Sequence, residues 1–226
     1  MEDKVTIDDL IKIYEAEKKI YGEKIYNRIS DIFEKAKAIH KKDFSLSDHE
    51  QSWRAFKGKN LEKLIMHIIK DQVESLGLKI ISGNALERTN NANLSSEMST
   101  IKRNLLIDYG EFGHHLPDVD LIIYGEGCKI LATISSKVTL RERIAQTGYW
   151  KLKFLQDPVT KNIKVFFITP DEDGTLTVKK PTKKGRAIVE ADTDGGYVMS
   201  DKDVEESDKV KSFDKFIEDL RRIINE

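Results

Sequence analysis

The sequence predicts an α/β fold, in which a mixed central sheet is flanked by helices and preceded by a helical N-terminal subdomain. Residues 4–42 carry apolar side chains at three- and four-residue steps, which is typical of amphipathic helices. Between residues 118 and 169, short apolar segments of strand length lie on either side of a helical pattern. This order of elements favours a sheet covered by helices. We expect the helical subdomain to span residues 1–55 and the α/β core residues 56–226.

The first half of the chain is predicted to be mostly helical. The pattern over residues 4–42 indicates one long helix, or two if Gly22 divides it. A polar connection is expected at 43–58. A second strong helix is predicted over 60–76, where the apolar residues fall on one face and Gly77 ends the helix.

The second half contains the predicted sheet. A turn at 126–127 would join two of its strands into a hairpin. The predicted strands cover residues 79–82, 118–124, 129–137 and 163–169, with an edge strand possible at 175–180. A polar loop is expected at 83–100, and helices are expected at 140–155 and 210–224.

Composition excludes several classes of protein. The chain has 226 residues, 39% hydrophobic and 34% charged, and no apolar run near the roughly 20 residues that span a bilayer. Its acidic start lacks the apolar core of a signal peptide, so we expect a cytoplasmic protein without membrane contact. The single cysteine, Cys128, excludes an internal disulfide. A net charge of −1 leaves nucleic-acid binding open, because binding needs only a local basic surface.

Acidic and basic residues flank the predicted hairpin. Pro117-Asp118-Val119-Asp120 begins one strand, and Ser135-Ser136-Lys137 ends the next. Because strand side chains alternate between faces, Asp118 and Asp120 should share a face, and the hairpin should bring Asp118 close to Lys137. A carboxylate can hold a hard divalent cation, and a nearby lysine can position water and offset charge on a phosphate. The pattern therefore predicts phosphodiester hydrolysis.

This arrangement resembles the PD-(D/E)XK nuclease superfamily, in which a Pro-Asp pair is followed on the next strand by an acid, any residue and lysine. Here Pro117-Asp118 and Lys137 match, whereas Ser135 stands in place of the second acid. The resemblance implies a restriction-endonuclease-like fold and Mg²⁺ as the cofactor.

The residues after Lys137 indicate which group of this superfamily the chain resembles. Arg141-Glu142-Arg143 follows at the predicted start of a helix, as in the restriction endonucleases of the BsaWI and PspGI groups that read CC and GG steps. Carried over, Arg141 and Arg143 would donate to guanine N7 and O6, and Glu142 would accept from cytosine N4. These three residues are the predicted DNA-binding residues.

The missing carboxylate must come from elsewhere in the chain. In this superfamily a glutamate of the first core helix often lies at the metal site, which makes Glu62 the candidate and Glu74 the second choice. The predicted catalytic residues are therefore Asp118, Lys137 and Glu62, with Asp118 and Glu62 as the metal ligands.

Each of these residues also has a purely structural interpretation. Pro117-Asp118 is a common turn sequence, and Lys137 or Glu62 could be an ordinary solvated residue. Glu142 fits a capping box with Thr139, which competes with base reading. The basic run over residues 179–186 is either a solvated loop or a phosphate-contacting arm.

The combined pattern predicts a type II restriction endonuclease. The expected substrate is double-stranded DNA with a CCGG-type site or an interrupted CC/GG site. The expected assembly is a homodimer, whose symmetry would match the site, and a cognate DNA methyltransferase would belong to the same system. Two alternatives remain open: a repair or junction-resolving nuclease on the same fold, and a catalytically inactive DNA-binding protein.

Overall fold

The structure, a computed structural model, describes residues 5–42, 49–139 and 143–225. The helices of these ranges are α1 Ile7–Tyr21, α2 Ile29–Lys42, α3 His49–Ser75, α4 Gly83–Arg88, α5 Ser96–Leu105, α6 Arg143–Leu155, α7 Lys184–Asp192 and α8 Phe216–Asn225. The strands are β1 Lys79–Ser82, β2 Ile107–Asp108, β3 His114–His115, β4 Leu121–Tyr124, β5 Ile130–Ser136, β6 Lys164–Thr169, β7 Gly195–Val198 and β8 Val210–Ser212. Among the described helices, none combines the length and the apolar character that crossing a bilayer requires.

Six strands form the central sheet in the order β1-β4-β5-β6-β7-β8. The β1–β4 and β4–β5 pairs are antiparallel, and the pairs from β5 to β8 are parallel. The predicted mixed sheet and its β4–β5 hairpin are therefore confirmed. Leu121 lies opposite Ile134, and the backbone N–H of Asp120 donates to the Ile134 carbonyl at 3.0 Å. This register brings the residues before β4 beside the end of β5.

Helices cover both faces of the sheet. On one face, Leu61 and Ile65 of α3 pack in the same cluster as Leu121 and Ile134. Phe154 of α6 belongs to a second cluster, which includes residues of α5 and β4. Burial on both faces explains why β4 and the centre of β6 are wholly apolar, and each fully buried Leu, Ile or Phe contributes about 1.5–3 kcal/mol.

The N-terminal helices pack on the face of the sheet that α3 covers. Leu10 of α1 and Phe33 of α2 are fully buried in the cluster that contains α3 and the sheet. Gly22 ends α1 with a φ of 77°, so the predicted break lies where α1 stops. The expected boundary between residues 55 and 56 falls inside α3, and the division into a subdomain and a core stays a prediction.

Several element boundaries differ from the sequence prediction. The polar connection expected at 43–58 is wrong from residue 49 onwards, because α3 begins at His49, and its first part, 43–48, lies outside the described residues. The loop expected at 83–100 contains α4 and the first half of α5. The edge strand at 175–180 is absent, and the last predicted helix, 210–224, begins instead as β8. The start of α3, α4 and the start of α5 contain many polar residues typical of loops and caps, so the sequence pattern does not indicate these helices, which tertiary packing stabilises.

The pattern of residues also missed α7 and β7. Strand β7 begins with two glycines, which have low strand propensity. A Cβ on Gly195 would lie 3.1 Å from the Lys209 carbonyl, and one on Gly196 would lie 3.0 Å from Val189. The glycines therefore allow close approach of β8 and α7, an effect that strand propensity does not register.

The basic run at 179–186 is partly structural. Arg186 is fully buried, and its guanidinium donates to the carbonyls of Leu176 and Glu205 and pairs with Glu190 at 3.2 Å. Such bonds tie α7 to the segments on either side of it. Arg186 is therefore not available for a phosphate, whereas Lys179 and Lys180 are exposed.

Gly83 provides a test of this packing. A Cβ on Gly83 would lie 1.9 Å from the Val119 carbonyl oxygen, so Gly83→Ala should displace the segment before β4 and lower the melting temperature. The control is Gly58→Ala on the exposed surface of α3, where no atom lies within 4 Å of the added Cβ. That change should stabilise the helix by about 0.5–1 kcal/mol. Equal melting temperatures for both variants would contradict the described packing.

Candidate active site

The ends of β4 and β5 bring an acid and a lysine together. Asp120, immediately before β4, is 7% exposed. One of its carboxylate oxygens accepts hydrogen bonds from the Ser136 backbone N–H at 2.6 Å and from the Lys137 ammonium at 2.7 Å. The Ser136 hydroxyl donates to the same oxygen at 3.3 Å. The hairpin therefore ends in a largely buried carboxylate–ammonium pair.

Helix α3 adds a second carboxylate to this pair. Glu62 is 7% exposed, and its carboxyl group lies close enough to Asp120 for the charge of Asp120 to act on it. Burial, followed by the charge of Asp120, raises the pKa of Glu62 to about 7, while Asn84 and Lys137 partly offset that rise. Glu62, Asp120 and Lys137 thus form a cluster of two acids and one ammonium group, called the pocket below, in which a further positive charge would be stabilised.

Asn84 holds Glu62 in place from the other side. Its amide Nδ2 donates to Glu62 Oε2 at 2.9 Å, and the N–H of the preceding Gly83 donates to the Asp120 carbonyl at 2.9 Å. The β1–α4 corner therefore contacts both acid-bearing residues. Sequence reasoning missed Asn84 because it placed residues 83–100 in a loop. The Gly-Asn pair directly after a predicted strand was the available signal.

Asp118 lies apart from this pocket. Its side chain is exposed, and its carboxylate accepts from Gln146 Nε2 at 3.1 Å. The expected contact between Asp118 and Lys137 is therefore replaced by the contact with Asp120. Strand β4 begins only at Leu121, and Val119 packs in a different cluster from Leu121, so regular alternation does not extend back to Asp118. The role of Asp118 as a metal ligand stays a prediction.

Of the three predicted reading residues, the structure describes Arg143, at the start of α6. Arg143 is its first residue and is exposed, whereas Arg141 and Glu142 lie outside the described residues, and so does half of the predicted capping box. Farther along the helix, Tyr149 and Tyr109 share a hydrogen bond between their hydroxyls at 3.0 Å. The Lys153 ammonium lies over both rings, 5.0 Å from the centroid of Tyr109 and 5.7 Å from the centroid of Tyr149. Strands β2 and β3 pair antiparallel in a small separate sheet, and these contacts connect α6 to the turn between them.

Ser135 occupies the position of the motif's second acid, and its contact is structural. The Thr147 hydroxyl of α6 donates to the Ser135 hydroxyl at 3.1 Å, and each residue is 3% exposed. A hydroxyl pair at this position docks α6 on β5 without burying a charge. The departure from the motif therefore coincides with a helix–strand contact.

The donor chemistry of the pocket suits a hard divalent cation. Mg²⁺ prefers oxygen ligands and is usually held by one or two carboxylates together with water and substrate phosphates. Glu62 and Asp120 supply such a pair. Within the described ranges, no group of three or more His, Cys, Asp or Glu side chains forms a complete metal cage. The remaining ligands would therefore have to come from water or substrate.

Comparisons with known proteins agree on one family. A family model described as BsaWI restriction endonuclease type 2 matches residues 97–219, which include Asp120, Lys137 and Arg143 but not Glu62. A Methanocaldococcus jannaschii protein, provisionally named type II restriction enzyme MjaVIP, is 38% identical over 96% of this chain and 94% of its own length. A Helicobacter pylori protein, provisionally named type II restriction enzyme HpyAORF263P, is 40% identical over 56% of this chain and 64% of its own length.

A solved structure supports the fold. The restriction endonuclease PspGI, in complex with substrate DNA, superposes with a TM-score of 0.59 over 98% of this chain and 93% of its own. The two sequences are 15% identical, so this likeness concerns the fold alone. The predicted restriction-endonuclease-like architecture is confirmed.

The acid pair predicts an unusual pH dependence of stability. Because the pKa of Glu62 is raised to about 7, its favourable protonated state is lost as the pH rises towards and through 7. In metal-free buffer, Glu62→Gln should therefore melt above the wild type at pH 8, on the order of 2–4 °C. The difference should shrink towards pH 5, where the wild-type side chain is neutral. Glu87→Gln, at an exposed residue of α4, is the control. A Glu62→Gln protein that melts below the wild type at pH 8 would contradict the described pocket.

Proposed function

This chain belongs to the BsaWI type 2 restriction endonuclease family, and on that premise we propose that it hydrolyses phosphodiester bonds of double-stranded DNA at a specific sequence. The supporting observation is the pocket in which Lys137 contacts Asp120 and Glu62 lies against Asp120. An ammonium group beside two carboxylates suits metal-assisted phosphodiester hydrolysis, because the acids can hold the metal and the ammonium group can offset negative charge on the phosphate.

The proposed cofactor is Mg²⁺, held by Glu62 and Asp120. When bound, the cation would polarise the scissile phosphate and lower the pKa of a water molecule. Asn84 keeps the Glu62 carboxylate directed into the pocket, and the bonds from Ser136 keep Asp120 fixed at the end of the hairpin. These contacts hold the ligands in place before DNA arrives.

Lys137 is the proposed group that serves the attacking water. Its ammonium, at the end of β5, would hold the water by a hydrogen bond and offset the charge that develops on the phosphate. Asp118, which is exposed, is the alternative metal ligand, and its bond to Gln146 would then have to open.

Sequence reading is proposed for the start of α6. Arg141 and Arg143 would donate to guanine N7 and O6, and Glu142 would accept from cytosine N4, which suits a CCGG-type or interrupted CC/GG site. Arg143 is exposed at the first turn, a few residues after Lys137 in the chain. Positive charge at a helix N-terminus opposes the helix dipole, so a phosphate or base would stabilise it there.

The proposed assembly is a homodimer that acts on a site of matching symmetry, in a system that includes a DNA methyltransferase. The N-terminal helices would support either dimer contacts or a grip on the DNA backbone. We further propose a cytoplasmic location, where the DNA substrate is present.

Digestion of plasmid DNA in Mg²⁺ tests the activity, and discrete bands are expected. Asp120→Asn should abolish the bands but keep specific binding in Ca²⁺, because it removes a proposed metal ligand and no base contact. Asp118→Asn, at an exposed aspartate two residues earlier in the chain, is the matched variant and should still cut. Loss of cutting with Asp118→Asn but not with Asp120→Asn would move the site to Asp118. A smear, or a preference for branched DNA, would favour a repair nuclease. Specific binding without cutting would favour an inactive DNA-binding protein.

Arg143 should contribute to affinity for the specific site. Arg143→Ala is expected to weaken binding to that site by about 1–3 kcal/mol and to relax preference at one base pair. The measurement is a DNA-binding titration in Ca²⁺ with the mapped site and its single-base-pair variants. Arg221→Ala, at an exposed arginine of α8, is the control. Equal losses on specific and unrelated DNA would indicate a phosphate contact instead of a base contact.

A further inference from the structure

A pair of buried hydroxyls joins the strand that leads to Lys137 to the helix that begins with Arg143. Thr147 donates to Ser135 at 3.1 Å, and both side chains are 3% exposed. Ser135 precedes Lys137 by two residues, about 6.6 Å along a strand. Thr147 follows Arg143 by four residues, about one helical turn. The pair therefore lies close in the chain both to Lys137, the proposed catalytic lysine, and to Arg143, the proposed base-reading arginine.

The rest of α6 is held by contacts farther along the helix. Gly148 allows α7 to approach, since a Cβ there would lie 3.1 Å from Asp192 Cβ. Lys151 pairs with Asp194 at 2.7 Å. At the far end, the Thr160 hydroxyl donates to the Phe154 carbonyl at 2.9 Å. Among the described residues, Thr147 provides the side-chain hydrogen bond of α6 to the catalytic strand β5.

We propose that Ser135 and Thr147 are positioning residues that couple base reading at the start of α6 to cleavage at Lys137. This inference rests on the proposed function. The hydrogen bond between the two hydroxyls holds α6 at a set position relative to β5, and therefore Arg143 relative to Lys137. When Arg143 contacts the correct base, Lys137 is thereby placed at the phosphate. A serine suits the position of the motif's second acid here, because a carboxylate facing Thr147 in this buried interface would carry an unfavourable charge.

The test compares Thr147→Val, which removes the hydroxyl at nearly constant volume, with Thr160→Val, which removes another buried hydroxyl bond. The cut site is first mapped by sequencing the ends of digested plasmid. Single-turnover rates are then measured on a duplex with that site and on duplexes with one base pair changed, and affinities are measured in Ca²⁺. Thr147→Ser, which keeps the hydroxyl, tests for rescue.

For Thr147→Val, the rate on the mapped site should fall about 10- to 100-fold, because small misplacements of catalytic groups have effects of this size. Discrimination against changed sites should fall about tenfold, with affinity within about threefold of wild type. Thr147→Ser and Thr160→Val should keep both values. Ser135→Ala should lower the rate and the discrimination to the same extent, and it replaces Thr147→Val if that variant does not fold. The double variant should lose no more rate or discrimination than either single variant.

A Thr147→Val enzyme with the rate and discrimination of Thr160→Val would overturn the coupling. If the losses of the two single variants add up in the double variant, the coupling is also overturned, because removing the second hydroxyl of one hydrogen-bonded pair should have no further effect. A wild-type protein that cuts no DNA would overturn the proposed function together with this inference. If the wild type cuts at a specific site, either of the first two results overturns the coupling alone and leaves the proposed function in place.

Discussion

The bond network of the Asp120 carboxylate is the interaction on which the site depends. One oxygen receives the Ser136 N–H and the Lys137 ammonium, so the end of β5 is fixed relative to the start of β4. The hairpin register sets up this contact, and the apolar strands hold the register because both faces are buried. Helix α3 and the β1–α4 corner then need only bring Glu62 and Asn84 to a carboxylate that is already in place.

Charge balance explains why this pocket suits a cation. Burying an acid is costly unless it is paired, and here two acids share one lysine. The raised pKa of Glu62 expresses that cost, which burial causes first and Asp120 second. A divalent cation would relieve it and keep both acids ionised. The fold thus holds two buried acids close together, and the proposed cation would offset the repulsion between their negative charges.

Much of this could be predicted from the sequence, and the failures have physical causes. The structure brings together Lys137 and Glu62, to which a motif and a helix position point, and their catalytic roles stay predictions. Asp120 was placed on the correct hairpin but ranked behind Asp118, since a strand period cannot tell where a strand begins. Asn84 could not be found, because its role depends on a corner closed by tertiary contacts. Ser135 was seen as a departure from the motif, and its partner Thr147 became visible only with the helix docked.

The central claim is that Glu62 and Asp120 form the cation site beside Lys137. A crystal structure of the protein with its mapped DNA site and Ca²⁺ tests this most directly. A cation should lie within about 2.3–2.6 Å of oxygens from both carboxylates, with the scissile phosphate next to the Lys137 ammonium. A cation held by Asp118, with Asp120 still bound to Lys137 and Glu62 remote from the metal, would contradict it.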